Sequence, residues 1–268
     1  MKIVTFQSGL GNQIFQYAFY LFLKSKSHKV YPYYITNLLN EHYGLELHKV
    51  LKNVKLKNTP IGIYYLAEII KRYFPKLASD SYQGSTIKHL LYKGYYFDKI
   101  FLDSLPPNSI ELNFNNLSTT NRDFIKKYKN KLLVSIHFRR GDYLNAANIY
   151  GNICTKYYYT EAIKYINNKY ENIFYVIFSD DIEYVEENFK INNACYVNWN
   201  QGSDSYMDLL LMACCPINII ANSSFSYWAA RLNPKSKLVI YPYKWWHYKR
   251  PDIFPNNWIG LASENTSL

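Results

Sequence analysis

The chain is poor in cysteine, has no long block of like charge and no apolar run that could span a bilayer. Each lack closes off a class of protein. Its four cysteines, Cys154, Cys195, Cys214 and Cys215, have the spacing of neither a zinc site nor a disulfide framework. Cys214 and Cys215 lie in an apolar run and read as buried thiols, which suits a reducing compartment. No block of five or more residues of one sign occurs, so a basic tail is excluded although the formal net charge is +11. The apolar stretch from Ile14 to Leu23 is short, and no small-residue cleavage pattern follows it. It is read as neither a signal peptide nor a membrane span. The Asn-x-Ser/Thr sequons at Asn116, Asn222 and Asn265 are then not expected to carry glycan.

Several chemistries are missing as well. There is no Gly-x-Ser-x-Gly elbow, and His137 has no Cys or Ser partner evident from spacing, which argues against nucleophilic catalysis. No Asp-x-Asp occurs; Asp181-Ile182-Glu183 is the nearest variant and lies inside an expected helix. Gly9 and Gly11 would need a third glycine at position 14 for a dinucleotide fingerprint, and Ile14 stands there. No internal repeat is visible.

What is present is a folded globular chain, 49% apolar, long enough for one large domain or two small ones. Aromatic residues make up 18%, including 29 tyrosines. The positive charge points to a nucleic acid, an anionic membrane surface or an anionic substrate. Aromatic and basic residues alternate from Tyr241 to Arg250, yet none of the familiar nucleic-acid motifs is present. That stretch is either a ligand contact or a packed closing strap.

Lys2 to Phe6 reads as a strand, followed by a glycine turn and a helix in which Ile14, Phe15, Tyr17, Ala18, Leu21 and Phe22 share a face. Asn12 is a candidate N-cap, and Gln13 can spend its amide on substrate or on backbone. Lys29 to Ile35 reads as a strand interrupted by Pro32, and Ile61 to Phe74 as a helix stopped by Pro75. The polar, proline-marked segment from Leu105 to Asn121 reads as a linker, giving domains 1–120 and 121–268, with a return of the last residues to the first half left open. Beyond it, strands at Leu132–Ile136, Ile173–Phe178, Ala194–Val197, Ile217–Ala221 and Lys237–Ile240 alternate with helices, which predicts a parallel sheet with crossovers.

Three loops that follow these strands carry polar residues, and a parallel sheet puts them on one edge. The first holds Arg139 and Arg140. Two adjacent guanidiniums need an anion beside them: a pyrophosphate, or structural carboxylates with Asp142 as one candidate. The second is Ser179-Asp180-Asp181, read as metal ligands, as acceptors for guanine or ribose, or as a helix N-cap at Asp180. The third is Asn222-Ser223-Ser224-Phe225-Ser226, where Ser224 and Ser226 either face an anion or simply cap a helix. His137 is either a core histidine held by backbone or a contact to a nucleotide.

The core His137-x-Arg139-Arg140-Gly141-Asp142-Tyr143 resembles the first motif of the α-1,2-fucosyltransferases of glycosyltransferase family 11. Ser8 to Ala18 is similar to that family's opening motif, and Leu91 to Phe101 to its mid-chain aromatic segment. Phe178 to Asp181 and Asp208 to Ala230 resemble its second and third regions, and Pro242, Trp245, Pro255 and Trp258 its closing pattern. The motifs run in order from residue 2 to residue 261. Departures are Ser8 where Gly is usual, Ile14 for Met, Tyr227 where Trp is usual and Arg231 where Trp is common.

The resemblance implies an α/β fold of GT-B type, two Rossmann-like domains facing across a cleft, the second holding the donor. It implies inverting transfer of L-fucose from GDP-β-L-fucose to the 2-hydroxyl of a galactose-terminated oligosaccharide or lipid-linked glycan. No cofactor and no metal are expected. Another linkage or another nucleotide sugar is the alternative, and a basic nucleic-acid or membrane module is the rival from a different class. Motif by motif, Arg139, Arg140 and Asp142 would be catalytic. His137, Asp180, Asp181, Asn222, Ser223, Ser224, Phe225 and Ser226 would bind the donor, while Gly9, Gly11, Asn12 and Gln13 would face the cleft on the acceptor side. No nucleic acid is expected as partner; the location is expected to be cytoplasmic, with a peripheral contact to the inner face of the membrane as an option.

Overall fold

The computed structural model describes residues 1–79, 88–141, 143, 148–247 and 250–264. It divides into two compact units, Met1–Glu111 and Leu112–Leu268. The division falls within the segment 105–121.

The first unit is a four-stranded parallel sheet in the order β2-β1-β4-β3, with β1 Lys2–Phe6, β2 Val30–Tyr34, β3 Ala78–Ser79 and β4 Leu91–Tyr92. Helix α1, Leu10–Ser25, buries an almost continuous apolar set that includes Ile14, Phe15, Phe19 and Leu23. Each large side chain so buried contributes roughly 1.5–3 kcal/mol. The mid-chain aromatic segment packs on this helix: Tyr96 stacks on Phe19 at 4.0 Å and Phe97 meets Phe15 edge-on at 4.5 Å. Tyr92, Tyr96 and Phe101 are therefore core material, whereas Tyr95 is exposed. Helix α2, Ile61–Tyr73, covers Ile3, Tyr33 and Leu91 with Ala67 and Ile70.

Pro32 does not interrupt β2, contrary to the sequence reading. β2 is an edge strand, paired on one side only, so the missing N–H breaks no ladder bond. The free side is used by a side chain, Thr59 Oγ1 donating to Pro32 O at 2.5 Å. Helix α1 also starts earlier than expected. Gly9, not Asn12, is its N-cap, and no side chain caps it.

The second unit is a six-stranded parallel sheet in the order β10-β9-β8-β5-β6-β7. Its strands are β5 Leu132–Phe138, β6 Ile173–Ser179, β7 Ala194–Tyr196, β8 Ile217–Ile219, β9 Leu238–Pro242 and β10 Ile259–Leu261. The chain runs outward from β5 through β6 to β7, then returns to the other side of β5 with β8. That reversal makes the β5/β8 boundary a topological switch point, where open α/β sheets bind ligands. Its described helices include α3 Thr119–Lys127, α4 Lys156–Lys169, α5 Ile182–Asn188, α6 Tyr206–Met212 and α7 Ser224–Arg231. Helix α3 begins inside the expected linker, started by Ser118, whose hydroxyl accepts from Asn121 N at 3.3 Å. The sequence hid it because only Asn121 and Phe124 are buried.

At the carboxyl end of the sheet's outer half, β10 pairs with β9, so residues 259–261 stay in this unit. Tyr241 stacks on Phe254 at 4.0 Å, and Trp245 packs against Phe254 at 5.3 Å. Tyr227, where tryptophan resembles the family better, is fully buried and donates from its hydroxyl to Ile253 O at 2.8 Å. The described part of the aromatic stretch is thus divided: Tyr241, Pro242 and Trp245 are packed inside, whereas Tyr243, Lys244, His247 and Arg250 are exposed. Tyr248 and Lys249 lie outside the described residues.

Candidate active site

β5 ends at Phe138, β6 at Ser179 and β8 at Ile219, so the three polar loops do share the carboxyl edge of one sheet. Arg139 and Arg140 leave β5 as a pair, and the second loop supplies a carboxylate for each. Arg139 Nη1 lies 3.0 Å from Asp180 Oδ2, and Arg140 Nε 3.1 Å from Asp181 Oδ2. These four side chains are between 23% and 34% exposed, so the pairs sit at the surface of the edge and keep faces open to a ligand. Among the described residues the carboxylates beside the arginines are Asp180 and Asp181; Asp142 lies outside the described residues.

Each carboxylate does a second task. Asp180 Oδ1 accepts the backbone N–H of Arg140 at 2.9 Å, tying the two loops together. Asp181 Oδ1 accepts Tyr184 N at 3.3 Å, which makes Asp181 the N-cap of α5. The cap was expected one residue earlier, at Asp180; the arginine loop claims that carboxylate instead. The Arg140 guanidinium lies over the Tyr184 ring, 3.2 Å from its centroid.

Across the switch point, the loop after β8 is anchored from within. Asn222 is 2% exposed. Its amide donates to Tyr150 O and Trp245 O, both at 3.1 Å, and its Oδ1 faces Cys154 Sγ at 3.4 Å. Asn222 is therefore a brace with no amide hydrogen left for a donor sugar, which corrects the sequence assignment and also excludes its sequon. Ser223 is buried and N-caps α7, accepting Phe225 N at 3.3 Å. Ser226 is fully buried and donates to Ser223 O at 3.4 Å, so its hydroxyl does not face a ligand. Of the five residues assigned here, only Ser224 and Phe225 are partly exposed. A single tyrosine joins the two loops: Arg139 lies 5.6 Å from the Tyr143 ring centroid, and Tyr143 donates to Asn222 O at 2.9 Å.

His137, the last inward residue of β5 before Phe138, is 5% exposed, and its Nδ1 has no hydrogen-bond partner among the described residues. Burial, reinforced by the nearby Arg139 and opposed by Asp180, pushes its pKa down to about 4. The imidazole is neutral at pH 7. Among the described residues no backbone group holds this histidine at Nδ1.

One buried acid entered the sequence reading only as the start of a resembling region and was given no role. Asp208 Oδ1 accepts Asn200 Nδ2 at 2.8 Å, Asn200 pairs with Asn121, and Trp199 Nε1 donates to Asn121 Oδ1 at 2.8 Å. Burial pushes the Asp208 carboxyl up to about 7, against the Asn200 hydrogen bond. The available signal was one acid heading the otherwise apolar α6.

In the first unit, Gln13 is fully buried. Its Nε2 donates to Ser8 O and Gly44 O, both at 2.9 Å, while Oε1 accepts Glu46 N at 2.9 Å. Both amide hydrogens are spent on backbone, so the expected role of Gln13 toward acceptor is corrected to loop building. Gly11 is buried too, whereas Gly9 and Asn12 are partly exposed. Asn12 donates to Ser8 Oγ at 3.1 Å. Ser8 has φ 67°, the left-handed region that glycine tolerates, which gives a physical reason for the glycine usual at this position.

A family model described as Glycosyl transferase family 11 matches residues 1–262. The chain belongs to glycosyltransferase family 11. Among curated members similar to it are an α-1,2-colitosyltransferase from Escherichia coli, 35% identical over 137 residues, 48% of this chain and 47% of that protein. The Escherichia coli O-antigen biosynthesis glycosyltransferase WbnK is 35% identical over 139 residues, 50% of this chain and 46% of its own length. A galactoside α-(1,2)-fucosyltransferase 1 from Saimiri sciureus is 27% identical over 106 residues, 38% of this chain and 29% of that protein. The chain spans about half the length of the bacterial relatives it matches. Among solved structures, the α-1,6-fucosyltransferase NodZ co-crystallized with GDP aligns with a TM-score of 0.52 at 11% identity, over 87% of this chain and 92% of that one. That likeness places the fold in the α/β, GT-B class, consistent with the two parallel-sheet units. Among the described residues no helix is long and apolar enough to cross a membrane.

Proposed function

We propose that this member of family 11 transfers L-fucose from GDP-β-L-fucose, with inversion, to the 2-hydroxyl of a β-galactoside in a surface glycan. The reading rests on membership of the family over residues 1–262; the structure answers the charge of Arg139 and Arg140 with Asp180 and Asp181, and leaves both guanidiniums about three-tenths exposed beside the β5/β8 switch point. Support comes from family membership and from the names of the similar proteins, an α-1,2-colitosyltransferase, an O-antigen glycosyltransferase and an α-(1,2)-fucosyltransferase.

Cleavage of the fucose C1–O bond builds negative charge on the departing GDP, while the sugar takes on oxocarbenium character. Guanidiniums already oriented by carboxylates stabilise that developing charge without reorganising at the moment of reaction. Asp180 and Asp181 set the directions of the two forks, and the N-terminus of α7 offers backbone N–H groups beside Ser224. The neutral imidazole of His137 offers a hydrogen-bonding nitrogen to the nucleotide. In this reading the arginines supply the positive charge, and no metal ion is required.

Incubation with GDP-fucose and lactose in EDTA is expected to yield a 2-fucosylated product, with GDP binding measured by calorimetry. Failure to turn over any galactosyl acceptor, together with failure to bind GDP, would falsify the proposal. A second reading, transfer of colitose in place of fucose, is favoured by the 35% identity to the colitosyltransferase. Product analysis with each donor distinguishes the two. Binding to nucleic acid that falls steeply with salt and ignores GDP would instead favour a basic module.

A further inference from the structure

We propose that the outer face of α2, in the first unit, docks on an anionic lipid bilayer. The helix has two apolar faces. One, built on Ala67 and Ile70 with Ile63, Tyr64 and Leu66 beside them, packs on the sheet. The other is formed by residues four apart: Ile61, Tyr65, Ile69 and Tyr73 are 70%, 67%, 45% and 64% exposed. Such spacing aligns side chains along one side of a helix. Phe74 and Leu77, just past the helix end, are exposed as well. Scattered apolar residues on a surface need no explanation, but four aligned along one helix side, with two more exposed just past its end, are the pattern of an interaction site.

The charge around the stripe selects the partner. Arg72 and Lys76 are exposed and make no ion pair with a described residue, whereas the one acid of α2, Glu68, is engaged by the Tyr33 hydroxyl and Lys71. The outward charge is therefore positive, in a chain whose formal net charge is +11. Anionic lipid neutralises these cations, and the stripe has the composition of an interfacial helix: aliphatic side chains for the acyl boundary, tyrosines for the headgroup level, basic residues at the rim. This inference is independent of the transfer reaction and is read without turnover.

The test is co-sedimentation of the full chain with phosphatidylglycerol–phosphatidylcholine vesicles and with pure phosphatidylcholine vesicles, at low and high salt. The chain is expected to bind the anionic vesicles, more weakly as salt rises, and to bind neutral ones poorly. Arg72→Glu/Lys76→Glu is expected to weaken binding by roughly 25-fold or more, since each basic residue near an anionic surface is worth about fivefold. Ile61→Ser/Tyr65→Ser/Ile69→Ser is expected to reduce it by more than about tenfold. Circular dichroism and unfolding temperature should be unchanged, and the surface charge reversal remains informative should the triple variant lose structure. No binding to anionic vesicles at low salt, or equal binding by the charge-reversed chain, overturns the proposal. So does a concentration-dependent dimer in sedimentation velocity that the triple variant abolishes.

Discussion

Gly141 offers a sharp test of the loop that carries the arginines. A Cβ added there would lie 2.7 Å from Asp180 Oδ2 and 3.2 Å from Asp180 Cγ, closer than real side chains approach. The carboxylate cannot simply swing aside, because Oδ2 holds Arg139 and Oδ1 holds the backbone N–H of Arg140. Gly141→Ala must therefore break one or both contacts. Hydrogen bonds to charged groups contribute about 1.5–3 kcal/mol each, reduced here by the solvent exposure of the pair, so a loss of ~1–2 kcal/mol is expected. Asp180→Ala removes the obstacle along with the contacts. In that background Gly141→Ala should be neutral, or stabilising by about 0.4–1 kcal/mol through the unfolded chain. All five tryptophans lie between Trp199 and Trp258, so tryptophan fluorescence during urea unfolding follows the second unit alone. The four-protein cycle should show a coupling of about 1 kcal/mol or more. Additivity within ~0.5 kcal/mol would refute the idea that Asp180 is the atom Gly141 must clear.

Arg139→Lys should lower kcat about a hundredfold to a thousandfold while leaving the unfolding temperature unchanged, because a point charge can pair with Asp180 but cannot replace the fork. Near-normal turnover would count against the phosphate role. The titration of His137 and Asp208 predicts an unusual acid profile. His137, with its pKa lowered from 6.5 to about 4, binds its proton more readily unfolded, so it removes ~3 kcal/mol of stability as pH falls from 6.5 to 4. Asp208, raised from 3.8 to about 7, binds its proton more readily folded and adds ~3 kcal/mol as pH falls from 6.5 to 4. The second unit should be nearly indifferent to pH here; His137→Asn should become more stable on acidification, and a fall in its stability would contradict the assignment. Gln13→Leu strands Ser8 O, Gly44 O and Glu46 N, and should cost the first unit about 2–4 kcal/mol, read by hydrogen exchange in residues 8–46. Unaltered exchange there would mean that the amide is dispensable.

The alternation of β-rich runs with amphipathic stretches, the three polar loops at one sheet edge and the ordered motifs were all legible in the sequence, because hydrophobic period and strand direction are local properties. Composition and motif order thus determined the class of fold, the family and the loops in which chemistry had to be sought. The partners of the charges were not legible. Arg139 meets Asp180 across 41 positions of chain, while Asn222, Ser226 and Gln13 turned out to be spent on neighbours that lie far off in sequence or hidden in the backbone. Whether a polar side chain faces a ligand or a carbonyl depends on which groups folding brings within about 3 Å of it, and hydrogen bonding at that range is settled by tertiary contact alone. The same holds for His137 and Asp208. Their types were plain from the start, but only burial could move their protons.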